Sequence, residues 1–172
     1  MRWIGRLLLI GFALPVAVAA GTLTLFLVTL FDPILAAFAG AVIQAGLAAL
    51  LDSLAAAGDP GFAIESTAVG LGRLAFTVLV VPPVFVALVS EVIGTRRFLW
   101  HAGATGLLTG ALPWLARSGV ARTPEEAHIA LLLALTGAVS GAVYWLIAGN
   151  GAGPAPRADD RLGPDGPLPS RP

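Results

Sequence analysis

The chain of 172 residues is 57% hydrophobic and only 12% charged, with a mean hydropathy of +0.88. A water-soluble domain carries about 25% charged residues; half that share, set between long apolar blocks, excludes an ordinary soluble globule and points to the membrane. Ten arginines, no lysine and ten acidic residues give zero net charge, so no basic surface invites nucleic acid, and the absence of cysteine excludes disulfides and thiolate chemistry.

Crossing a hydrocarbon core of about 30 Å takes about 20 helical residues. Residues 7–31, LLLIGFALPVAVAAGTLTLFLVTLF, supply a first span behind Arg2 and Arg6. The Ala17-Val18-Ala19 triplet resembles a signal-peptide cleavage site, but the apolar run continues to Phe31, which favours an uncleaved span.

Residues 33–51 are apolar, alanine-rich and carry Gln44. If this stretch does not cross, Arg2, Arg6, Arg96, Arg97, Arg157, Arg161 and Arg171 share one side, against Arg117 and Arg122 on the other. That asymmetry is a positive-inside pattern, and it vanishes if the stretch crosses. The expectation is therefore an external apolar helix lying on or dipping into the far side, with Asp32, Asp52, Asp59 and Glu65 nearby.

Residues 67–90 form the second span and contain Pro82 and Pro83. In water a helix-interior proline costs about 3 kcal/mol relative to alanine. Within a bilayer, unpaired backbone groups have no water to turn to, so the segment stays helical and kinks. Thr77 is placed to take up a carbonyl freed by the prolines. The kink serves simple packing shape or, on the alternative reading, a hinge or substrate-lined break. Arg73 sits roughly 9 Å inside this span, where a long side chain snorkels to the external interface, with Glu65, Glu125 and Glu126 as partners in reach. Glu91, Arg96 and Arg97 close the span beside His101, as membrane-flanking charges or as a contact for a partner or lipid head group.

Residues 98–116 are the third span and 129–149 the fourth. Gly103, Gly106 and Gly110 in the former, and Gly137 with Gly141 in the latter, make small-residue stripes of the kind that let helices approach closely. Tyr144 and Trp145, with Trp3, Trp100 and Trp114, fit interfacial belts. Before the fourth span, TPEEAH places Glu125 and His128 at the i, i+3 spacing of di-iron helices. The remaining histidine, His101, falls on the opposite face, so the stretch reads as a helix start: Thr123 the N-cap, Pro124 in the first turn, Glu126 completing a capping box. No cofactor or metal site is expected. Residues 150–172 are dominated by glycine and proline and read as a disordered cytoplasmic tail.

GLGRLAFTVLVVPPVFVALVSEVIGTRRFLWH and GAVSGAVYWLIAGNGAG together resemble the uncharacterised small inner-membrane proteins of alphaproteobacteria, over the second to fourth spans. The resemblance implies a bacterial inner-membrane setting and carries no activity or catalytic residue. The expectation is thus an all-α, four-span helical bundle over residues 1–149 with both termini cytoplasmic. Its expected role is a non-enzymatic structural, accessory or assembly subunit, joined to homo- or hetero-oligomeric partners through glycine and alanine faces. The alternative is a small transporter component or solute pore using Arg73 and Pro82-Pro83.

Overall fold

The computed structural model describes residues 2–57, 60–116 and 123–149. These form six helices: α1 (Arg2–Phe31), α2 (Pro33–Ala57), α3 (Pro60–Leu79), α4 (Val81–Ile93), α5 (Phe98–Ala116) and α6 (Pro124–Ile147). No strand occurs among the described residues. The expected tail, Asp59, Arg117 and Arg122 lie outside them.

Among the described residues four helices are long and apolar enough to cross a membrane: α1, α2, α3 and α6, with mean hydropathies of 2.1, 2.2, 1.4 and 1.9 over their best windows. This set differs from the sequence expectation in three places. The stretch expected as an external helix over 33–51 continues to Ala57 and is itself long enough to span. The expected second span is divided, with Val80 as a turn residue between α3 and α4. The third expected span, α5, has the expected bounds, but His101, Pro113 and its many glycines and threonines keep its hydropathy below that of the four.

Each break has a local cause. Pro33 has no N–H to donate, and Asp32 caps α2 by accepting the Leu35 N–H on Oδ1 at 2.8 Å. Pro82 and Pro83 likewise leave the carbonyls of Val78 and Leu79 without the usual donor four residues on. Thr77 does not rescue them, because its hydroxyl donates to the Arg73 carbonyl at 2.8 Å. Backbone bonds continue on both sides of Val80, from Val80 N–H to Phe76 and from Val84 N–H to Val80. Gly94 ends α4 in the left-handed region at φ 71°, which glycine adopts without strain, and its N–H bonds to Ser90 at 2.8 Å.

The bundle is built around α6. Helix α5 lies antiparallel against it through interlocking glycines, with Gly106 and Gly110 facing the Ala134 and Ala130 carbonyls and Gly137 and Gly141 facing Thr105 and His101. A Cβ added at Gly110 would lie 2.8 Å from a backbone oxygen, so these glycines set the closeness of the two helices. Gly103, from the same sequence stripe, faces open space. Helix α1 also runs antiparallel to α6: Arg6 meets Ala148, Gly21 meets Ser140, and Asp32 meets His128. Helices α2 and α3 pack on each other, where a Cβ added at Gly46 would stand 3.4 Å from Leu71, and also on α1. Only 6% of each one's best window is buried, against 44% for α6.

A candidate site: the buried polar cluster at one end of the bundle

At the end holding the start of α1, four helices bring polar groups together. Arg6 forms an ion pair with Glu91 and also donates from Nη1 to the Ala148 carbonyl at 2.9 Å. One guanidinium thus joins α1 to the last turn of α4 and to the end of α6, where the exposed helix carbonyls favour a cation. Just inside, Tyr144 is 2% exposed and packs among Ala13, Ala17, Ala87 and Ala148. His101, fully buried, stacks on it with ring centroids 5.6 Å apart. The small side chains of α1 and α4 make room for the two rings.

His101 Nδ1 lies 3.1 Å from the Arg97 carbonyl. A carbonyl only accepts, so in the neutral ring Nδ1 carries the proton and Nε2 is an acceptor. That Nε2, the Tyr144 hydroxyl and the Ser140 hydroxyl are buried and have no hydrogen-bond partner within the described chain. A buried polar atom without a partner costs about 1–3 kcal/mol, and three share this region. Below them the seam between α5 and α6 carries Thr105, Thr109 and Thr136, all buried. Thr109 and Thr136 turn their hydroxyls onto carbonyls one turn back, at 2.8 and 3.0 Å, and so present little polarity sideways.

The residues singled out from sequence fall into separate groups. Glu91 enters the cluster, but its partner is Arg6 rather than Arg96 or Arg97. Arg96 and Arg97 contribute backbone: the Arg96 carbonyl accepts the Trp145 indole N–H at 2.8 Å, and the Arg97 carbonyl takes His101. Gly137 and Gly141 are buried beneath α5. Pro82 and Pro83 are buried in the bundle, whereas Arg73 is exposed on α3, so they line no common path. Arg73 forms no ion pair among the described residues, and the expected partners Glu65 and Glu125 do not reach it. Two grooves, one edged by Phe85, Trp100 and Leu107 and the other by Phe76, Val81 and Leu88, are lined by apolar side chains.

Sequence reasoning missed Arg6, His101 and Tyr144 as one group. The available signal was the shared side that the arginine count assigned to Arg6, Glu91 and His101. At the opposite end His128 Nε2 sits 2.7 Å from Asp32 Oδ2. The Leu35 N–H and then His128 hold the Asp32 carboxyl below the usual carboxylate range. Thr123 caps α6 as expected, accepting the Glu126 N–H at 3.2 Å. No group of three or more metal-binding side chains occurs among the described residues. No protein-family model, no curated protein and no solved structure matches the chain.

Proposed function

We propose that this protein is a multi-pass component of a bacterial inner membrane, with both termini cytoplasmic, serving as a non-enzymatic accessory or assembly subunit. The observation that carries this reading is the nearly bare α2–α3 pair: two apolar helices of 25 and 20 residues with 6% of their best windows buried. Phe38, Ile43, Leu47, Phe62, Leu74 and Phe76 on them are all more than 40% exposed. In water each such side chain forgoes about 1.5–3 kcal/mol of burial, so lipid or a partner covers them.

The orientation rests on charge. Arg6, Arg96 and Arg97 gather at the Glu91 end, while Asp32, Glu125 and Glu126 mark the other. Because α5 covers the Gly137–Gly141 face, that stripe is not free for a partner, and we assign the partner surface to α2 and α3 instead. The solute-pore reading gains no support from the apolar grooves or from the separation of Arg73 and the prolines.

The test is purification of the intact chain in mild detergent, followed by identification of co-purifying membrane proteins. A stable stoichiometric partner that is lost when Phe62 and Leu74 are replaced by polar residues supports the assignment. A monodisperse homo-oligomer that moves a solute across liposomes overturns it.

A further inference from the structure

The α2–α3 pair packs on α1, α5 and α6 and is linked to the rest of the molecule through the chain at two points, and both links are proline breaks. One is Asp32-Pro33, between α1 and α2; the other is Val80 followed by Pro82 and Pro83, between α3 and α4. The two breaks flank one apolar cluster. Leu35, three residues after the first, and Val78, two before the second, pack together with Leu25, Val28, Ile129 and Leu133. At both breaks the helical bonds of Asp32 and Val80 themselves persist, and what the prolines remove is the donor for the carbonyls of Thr29, Val78 and Leu79. Two such interruptions at one level make a hinge, with the helical pair as its arm.

The joint carries a clasp. Asp32 uses its two carboxylate oxygens differently: Oδ1 caps α2 through Leu35, and Oδ2 contacts His128 on α6 at 2.7 Å. The first turn of the arm is thereby tied to a helix of the bundle. We propose that Asp32 and His128 form a pH-responsive latch that fixes the α2–α3 arm against the bundle, tightening when His128 is protonated. A neutral imidazole N–H donates a hydrogen bond to the carboxylate, and an imidazolium adds to that bond the attraction of an ion pair.

Among the described residues few other charges bear on this pair. On α6 the neighbours are Glu125 and Glu126; on α3 the nearest is Arg73, five residues before Val78; on α2 it is Asp52. Glu91 of α4 and His101 of α5 belong to the opposite end. Of the charged side chains, only His128 acts on the Asp32 carboxylate. The His128 side chain is 39% exposed.

The experiment uses the full-length chain in lipid nanodiscs. The protein has no cysteine, so spin labels attach cleanly at Asp52→Cys on the arm and Leu107→Cys on exposed α5. Double electron–electron resonance then gives the arm-to-bundle distance distribution at pH 8 and pH 5. The latch predicts a distribution that narrows on acidification, by at least about one third in width, and loses that response in His128→Gln. Asp32→Asn keeps the capping oxygen but loses the charge, so it is predicted to fold with a broad distribution at both pH values. Equal widths at pH 8 and pH 5 in the unsubstituted chain overturn the proposal, as does an undiminished pH response in His128→Gln. Should Asp32→Asn fail to fold, the His128→Gln comparison decides alone. A changed width with an unchanged partner set separates this proposal from the assembly reading.

Discussion

Adding one methyl group at Gly137 tests whether the α5–α6 seam is as close as described. The Cβ of Gly137→Ala would stand 2.7 Å from the Thr105 carbonyl oxygen and 2.7 Å from Thr109 Cβ, and ordinary contact begins at 3.4 Å. Helix α5 must therefore withdraw by about 0.7 Å at that point, because the obstacle includes backbone and has no flexible end to swing aside. Overpacking of this kind costs about 1–3 kcal/mol. Alanine's better helix propensity returns up to about 1 kcal/mol. The net loss expected is about 1–2 kcal/mol, or roughly a 5- to 30-fold fall in the folded-to-unfolded ratio. Gly103→Ala is the control: no neighbouring atom lies within 4 Å, so that variant keeps or gains stability. Tryptophan fluorescence during unfolding in mixed detergent micelles reads both. A Gly137→Ala protein as stable as the unsubstituted chain, or a Gly103→Ala protein equally weakened, would refute the interlocking seam.

Four further outcomes follow from the geometry. Removing either partner of the Arg6–Glu91 pair leaves the other partly buried and unpaired, so Arg6→Gln and Glu91→Gln are each expected to destabilise by about 1 kcal/mol or more, and the double variant by less than the sum; strict additivity in the same unfolding assay contradicts this. Arg73→Ala is expected to leave abundance in the membrane fraction unchanged, since Arg73 is exposed and forms no ion pair among the described residues; lost insertion counts against it. Replacing Pro82 and Pro83 with alanine restores two N–H donors for Val78 and Leu79, so hydrogen exchange at residues 78–84 should slow. Because the Asp32 carboxyl is held below its usual range, its contribution to stability is full above about pH 4 and is lost as pH falls through the lowered value. Asp32→Asn should therefore weaken the protein at neutral pH and make no difference at strongly acid pH.

The helices and their positions were largely legible. Long apolar runs announce helices by length alone, so α1, α5 and α6 fall within a few residues of expectation at most ends. The α6 cap was readable because Thr-Pro-Glu-Glu is local chemistry: a hydroxyl three residues before an unbonded N–H. What failed was anything decided by contact between distant segments. Asp32 caps α2 because Pro33 follows, yet its second oxygen goes to His128, ninety-six residues away. Periodicity could mark Gly137 and Gly141 as a close-packing face without saying whether α5 or another chain would occupy it. The reach of α2 to Ala57 was hidden by Asp52 and Ser53, polar residues that a helix carries without ending. His101 read as a flanking histidine because its neighbours Arg96 and Arg97 are charged, and only the fold shows its ring against Tyr144.

The central claim is that lipid surrounds the bundle and separates its two ends. Single cysteines at Thr95, in the turn after α4, and at Glu125, in the first turn of α6, place one thiol at each end of a chain that has none of its own. Labelling with a membrane-impermeant maleimide, on intact cells and again on inverted membrane vesicles, reads each position from each side. The account predicts that Glu125→Cys is modified only from the outside and Thr95→Cys only from the inside. Modification of both from the same side, or recovery of the protein in the soluble fraction, contradicts it.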